Sequence, residues 1–241
     1  MKFKFLAAII FCMFPFSVMG STVYETSTSA SHEVELEVSE ISSDISRRLL
    51  RQMTDSAVKV SSGEGSYGTG TYFKYRSARF ILTARHVVEG ADQVFIELNP
   101  LNRVPATVVY VDPDRDIAIL TCEKLPGKKP MAYRNRSLPR QGINLFYTGY
   151  PSGHDLLTIT GTVAGHEEWG KNKIIMHSYG WPGASGSAVF DNRGRLVGVL
   201  IAVDVSQMAI HGHTAHRIVE DIVWIEPVEE LDIREIVRSI E

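Results

Sequence analysis

From residue 57 onward the apolar positions come in short runs separated by turn residues, and several runs alternate apolar with polar. Ala57–Val60 is the first run, and the four glycines between Gly63 and Gly70 read as a turn after it. Thr71–Tyr75 and Arg79–Thr83 are spaced to pair as a hairpin; Gln93–Leu98 and Pro105–Val111 alternate, and Asp116–Cys122 ends this group. A second group holds Ile143–Tyr147, Leu156–Val163, Lys173–His177, Ala188–Phe190, Leu196–Val203 and Ile222–Ile225. Asp191-Asn192-Arg193-Gly194 is a hairpin turn inside it. Short strands at this regular spacing predict an all-β sandwich or barrel.

Three stretches depart from that pattern. Between Ser39 and Thr54, Ile41, Ile45, Leu49 and Met53 recur every four residues, which predicts a short amphipathic helix. Val228–Ile240 has apolar residues at helical spacing and predicts a terminal helix. Leu125–Arg140, with three prolines and five basic residues, reads as the crossover between the two strand groups.

The first twenty residues pair a basic start, Met1-Lys2-Phe3-Lys4-Phe5, with an apolar stretch from Leu6 to Met19. Gly20 and Ser21 follow as small residues. This predicts a secretory signal peptide over 1–20 and a secreted or periplasmic protein; Pro15 and the short span argue against a stable membrane-spanning helix. Residues 21–54 are then a flexible lead-in plus the amphipathic helix. Loss of the leader removes Cys12 and leaves Cys122 as the only thiol, so no internal disulfide is expected. It also removes two lysines, taking the net charge from −3 to 23 − 28 = −5. Nothing in that balance favours nucleic acid or a membrane surface.

Candidate chemistry sits in three places. Ser185 lies in Gly183-Ala184-Ser185-Gly186-Ser187, a glycine-rich loop ahead of an apolar run. A serine hydroxyl is a poor nucleophile at neutral pH and needs a base, itself oriented by a third group. His86 closes an apolar strand in Phe80–Val88, and Asp116 directly precedes Ile117–Leu120. Asp112 and Asp114 compete with Asp116 but fit better as shapers of the turn at Pro113.

The motifs Thr83-Ala84-x-His86, Asp116-Ile117-Ala118-Ile119-Leu120 and Gly183-Ala184-Ser185-Gly186-Ser187, in that order, resemble those of chymotrypsin-like (trypsin-like) serine peptidases. The likeness covers about residues 55–230 and is nearest to the HtrA-like and bacterial glutamyl-endopeptidase branches, with no tail for a PDZ domain. It implies a peptidase domain over 55–241. Two six-stranded antiparallel β-barrels would span 55–133 and 140–228, with the terminal helix at 229–241. It also implies a Ser185–His86–Asp116 triad, an oxyanion hole from the N–H groups of Gly183 and Ser185, protein or peptide substrates and no cofactor. The specificity pocket would be based near Tyr179, with walls from Leu200, Ile201, Ala202 and Val203. No acidic residue stands at Tyr179, so a preference for Arg or Lys is not expected. Ala184 stands where digestive members carry an aspartate, and Ile201 where they carry a serine behind the triad. These departures keep open a second class, a peptidase-fold homologue that binds without cleaving. The His-Asp-Ser order excludes an α/β-hydrolase. His211, His213 and His216 have a spacing that zinc accepts, but lacking an acidic partner or thiolate they read as a solvated loop rather than a metal site. His166 and Trp169, in the turn Gly165–Asn172, are expected at the surface bordering the cleft.

Overall fold

Strand β1 (Ala57–Ser61) pairs antiparallel with both β2 (Tyr67–Tyr75) and β4 (Val94–Asn99), and this double pairing closes the first barrel. The computed structural model describes residues 45–62, 66–167, 172–210 and 213–240, without the side chains of 204–220 and 240. The remaining strands of this barrel are β3 (Ala78–Thr83), β5 (Asn102–Val111) and β6 (Ala118–Cys122), in the order β1-β4-β5-β6-β3-β2. A two-residue strand β7 (Met131–Ala132), within the crossover, lies parallel to the far half of β2.

The strands of the second barrel are β8 (Asn144–Gly149), β9 (Leu157–Glu167), β10 (Lys173–His177), β11 (Ala188–Asp191), β12 (Leu196–Ile210) and β13 (His213–Pro227). They close in the order β10-β13-β12-β11-β8-β9. The fold is therefore two six-stranded antiparallel barrels with few helices.

Gly68 and Gly70 belong to β2, where the sequence pattern places a turn. A Cβ at Gly70 would sit 2.6 Å from Ile81 and 2.8 Å from Val60, so glycine is there for close packing rather than turning. β12 and β13 keep pairing from Asp204↔Val219 to Ile210↔His213, so a two-stranded ribbon stands where the sequence suggests loops. Its apolar and polar residues do not alternate strictly, so no period-two pattern marks it. His166 likewise lies in β9, opposite Ile174, instead of in a turn.

Helix α1 (Arg47–Ser56) opens on Ser46, whose Oγ accepts the Leu49 N–H at 3.1 Å. Leu49 and Met53 are buried, as the four-residue spacing requires. The expected earlier part of this helix, the leader and the lead-in (1–44) lie outside the described residues. Helix α3 (Ile233–Ile240) starts later than Val228, because Asp232 caps it by accepting the N–H groups of Arg234 and Glu235. Among the described residues no helix is long and apolar enough to cross a membrane.

The larger apolar cluster fills the first barrel, takes in Leu49 and Met53 of α1 and Ile236 and Val237 of α3, and continues across the joint to Phe146, Phe190 and Leu196. Phe73 makes ring contacts with Tyr133 at 5.6 Å and with Phe190 at 6.1 Å. A smaller cluster, including Leu145, Tyr147, Val189 and Val223, fills the second barrel.

Candidate active site

His86 lies in a single helical turn, α2 (Arg85–Val88), directly after β3. Val87 and Val88 are buried beneath it and leave His86 on the outer side, with its side chain 43 % exposed. Asp116 holds this residue twice: its Oδ1 accepts the His86 backbone N–H at 2.9 Å, and its Oδ2 lies 2.6 Å from Nδ1. Burial pushes the Asp116 carboxyl up, but the hydrogen bonds from the His86 ring and backbone and the nearby charges of His86 and Arg85 outweigh it and hold the group below its ordinary range. Asp112 is committed elsewhere. Its Oδ1 accepts the N–H groups of Asp114 and Arg115, and its Oδ2 the Tyr110 hydroxyl, each at 3.0 Å, so it shapes the turn.

The nucleophile loop has left-handed backbone at Gly183 (φ +93°) and Gly186 (φ +90°), which a residue with a Cβ resists. Space forbids substitution as well. A Cβ at Gly186 would lie 2.0 Å from Thr69 O and 2.3 Å from Thr83 Oγ1. Thr69, on β2, is the residue that joins the barrels. Its N–H donates to Ser185 O and its Oγ1 to Gly183 O, both at 2.7 Å, while its own carbonyl accepts Thr83 Oγ1 at 2.7 Å. Next to it, a Cβ at Gly68 would meet Ser185 O at 2.8 Å and Val87 Cγ2 at 2.6 Å. The serine loop and the histidine turn thus rest on the same two residues of β2.

The Ser185 hydroxyl donates to Ile201 O at 3.4 Å and makes no hydrogen bond to His86 in this structure. The backbone N–H groups of Gly183 and Ser185 have no acceptor among the described residues. Ala184, where digestive members have an aspartate, is buried in the second core, and its N–H donates to Trp181 O.

Behind Asp116, the completely buried Glu226 accepts the Asp116 N–H at 3.4 Å and pairs with Lys173. The Asp116 carboxylate is thus held by the His86 ring and backbone N–H, while Glu226 accepts from the Asp116 backbone. Neither Thr69 nor Glu226 is marked by the sequence: a threonine in a glycine-rich run and a glutamate at a strand end carry no motif.

The expected pocket residues are placed unevenly. Leu200 is 1 % exposed and belongs to the barrel interior, so it forms no accessible wall. Ile201, Ala202 and Val203 retain accessible surface. Tyr179 is 58 % exposed and stacks on Trp181 at 5.7 Å, so it is no enclosed floor. Beside it the Gly180 backbone packs closely, since a Cβ there would meet Val223 and Val203 at 2.3 and 2.6 Å. Trp169 and His211 lie outside the described residues, while His213 and His216 are in β13 and not in a loop. Among the described residues no three His, Cys, Asp or Glu side chains are grouped to hold a metal ion.

Residues 68–199, more than half of the chain, match the family described as trypsin-like peptidase domain. The chain is 31 % identical over 159 residues to the serine protease Do-like HtrA of Bacillus subtilis, covering 61 % of this chain and 35 % of that protein. It is 28 % identical over 211 residues to the serine protease HtrA-like of Staphylococcus haemolyticus, covering 80 % and 32 % respectively. The chain spans about a fifth to a third of the length of the curated relatives it matches. Among solved structures, the HtrA-type protease AlgW with tripeptide superposes with a TM-score of 0.61 at 21 % identity, covering 80 % of this chain and 62 % of that one. The active form of the Rv3671c protease from M. tuberculosis superposes with a TM-score of 0.60 at 20 % identity, covering 80 % and 83 %. With three motifs in the order His, Asp, Ser, two closed barrels and a match over most of both, the chain belongs to the trypsin-like peptidase domain family.

Proposed function

We propose that this protein is a serine endopeptidase of the HtrA-like branch that cleaves proteins or peptides through an acyl-enzyme. The observation that carries the reading is the double attachment of His86 to Asp116, with the ring Nδ1 2.6 Å from Oδ2. A proton on Nδ1 leaves Nε2 with its lone pair free to act as base. Ser185 Oγ attacks the scissile carbonyl as Nε2 takes its proton. The tetrahedral intermediate collapses, the same proton passes to the leaving amine, and water then repeats the sequence to release the acid. Gly183 and Ser185 N–H supply the oxyanion donors, each such group being worth on the order of 10²–10³ in rate.

Secretion or periplasmic export through residues 1–20 is part of this proposal. One relative, from Chlamydia pneumoniae, is named as a probable periplasmic serine endoprotease DegP-like. The second reading, a binder that does not cleave, is favoured by one observation: the Ser185 hydroxyl faces Ile201 O. Treatment with a fluorophosphonate probe separates the two. The enzyme labels, Ser185→Ala does not, and hydrolysis falls on the order of 10⁶ in that variant. A folded wild-type protein that never labels selects the binder.

A further inference from the structure

Around the β11–β12 turn, two adjoining hollows of about 260 and 390 Å³ share Asn192 and Arg193. The smaller lies between α1, β7 and the β11–β12 turn, with Arg48, Arg134 and Arg193 around it and Leu49 and Met131 at its floor. Gly194 rides on that floor, its Cβ position 3.0 Å from Leu49 and 3.5 Å from Met131. Arg136 and Arg195 line the larger hollow. No aspartate or glutamate lines either one.

Two of the five guanidiniums are already engaged. Arg136 and Arg195 both bind the fully buried Asp191, at 2.7 Å each. That carboxylate sits under the groove, not in it. Arg48, Arg134 and Arg193 are exposed and have no ion-pair partner among the described residues. Five guanidiniums against one carboxylate leave four positive charges on one face of a chain whose net charge is −3. Such a concentration, held on three separate elements, attracts an anion.

We propose that this groove is a docking site for an acidic peptide segment, separate from the cleavage site. Guanidinium forks match carboxylates in paired hydrogen bonds, and the apolar floor accepts a side chain set between two acidic ones. A flat lipid surface does not reach into hollows of this size, and an apolar floor offers nothing to a phosphate backbone. β11, four residues and about 10 Å long, runs from the nucleophile loop to Asp191, so Ser185 and the β11–β12 turn lie beyond opposite ends of that strand. A segment held here would be tethered near the cleft without occupying it.

The test uses the full chain carrying Ser185→Ala and a fluorescein-labelled peptide of alternating glutamate and leucine, read by anisotropy. Binding is expected at 50 mM salt and weakens strongly at 500 mM, as the charges are screened. Arg48→Gln, Arg134→Gln and Arg193→Gln each weaken it roughly 2- to 5-fold, the size of an exposed ion pair. Charge reversal of all three to glutamate abolishes it while the melting temperature stays near that of the parent. Arg79→Glu, the same change on β3, leaves binding intact, and a peptide with glutamine for glutamate does not bind. Unchanged binding in the triple reversal overturns the proposal, as does an equal loss in Arg79→Glu. A single-stranded oligonucleotide that displaces the peptide and binds more tightly in the same arginine-dependent way also overturns it, and makes the groove a nucleic-acid site.

Discussion

In the first barrel, His86 and Asp116 stand just beyond the ends of β3 and β6, two strands paired to each other through Thr83↔Ala118. One antiparallel ladder therefore sets the distance between base and acid, and local pairing is enough to bring them together. In the second barrel, Ser185 stands in a loop between two left-handed glycines and is placed by what the loop touches: Thr69, Thr83 and Ala84, all in or next to the other barrel. The histidine–aspartate pair is a product of one barrel, whereas the serine loop is held by contacts with the other barrel. The apolar clusters follow the same division. The first extends across the joint to Phe190 and Phe146, while the second stays inside its own barrel.

If the first barrel's contribution is chemical and not structural, it can be removed without loosening the fold. Asp116→Asn keeps the shape but no longer favours the Nδ1-protonated ring, and hydrolysis is expected to fall about 10⁴-fold. Circular dichroism should change little at neutral pH, and the melting temperature should fall only modestly, by the contribution the depressed Asp116 carboxyl makes above its unfolded pKa. A fall in melting temperature to match the activity would show that the aspartate holds the barrel as well.

The joint is the next place to strike. Phe190 belongs to a strand of the second barrel but is 2 % exposed within the first barrel's cluster. Phe190→Ala is expected to cost about 3–5 kcal/mol by denaturant unfolding. Val189, its neighbour on the same strand, faces the second core, and Val189→Ala should leave the relation between the barrels intact. If both variants lose activity only in proportion to stability, the joint has no special claim on the site.

The smallest and most gradual effect is acid sensitivity. Burial pushes the Asp191 carboxyl up, but the Arg195 backbone N–H and the Arg195 and Arg136 guanidiniums pull it below the ordinary carboxylate range. A carboxyl whose folded pKa is depressed stabilises the fold above its unfolded value, about 3.9, and loses that contribution as pH falls through the folded one. Asp116 has the same sign and lies in the other barrel. Melting temperature should hold from pH 7 to about 5 and then decline. Asp191→Asn should begin lower and show a flatter acid limb than the parent, and a parallel limb would remove Asp191 from the account.

Most of the strands could be read from the chain because a half-buried strand alternates and a buried one runs apolar, whatever it pairs with. The exceptions have physical causes. Gly68 and Gly70 look like turn residues, yet their missing Cβ atoms make room for neighbours distant in the chain. The β12–β13 ribbon mixes Val, Met, Ala and Ile with Ser, Gln, His and Thr out of strict alternation, so no period-two pattern announces it. Leu200 was expected to line a pocket, but strand geometry turns it inward and its neighbour Ile201 outward.

Local chemistry was enough to nominate His86, Asp116 and Ser185, since a nucleophile, a base and an orienting acid each need a particular residue type in a particular local setting. It was also enough to prefer Asp116 over Asp112, which the turn consumes. Thr69 beneath the serine loop, Glu226 behind the aspartate and the arginines gathered from α1, the crossover and the β11–β12 turn became visible only in three dimensions. Each acts through a neighbour far away in the sequence, and a linear pattern records spacing along the chain but not proximity across it.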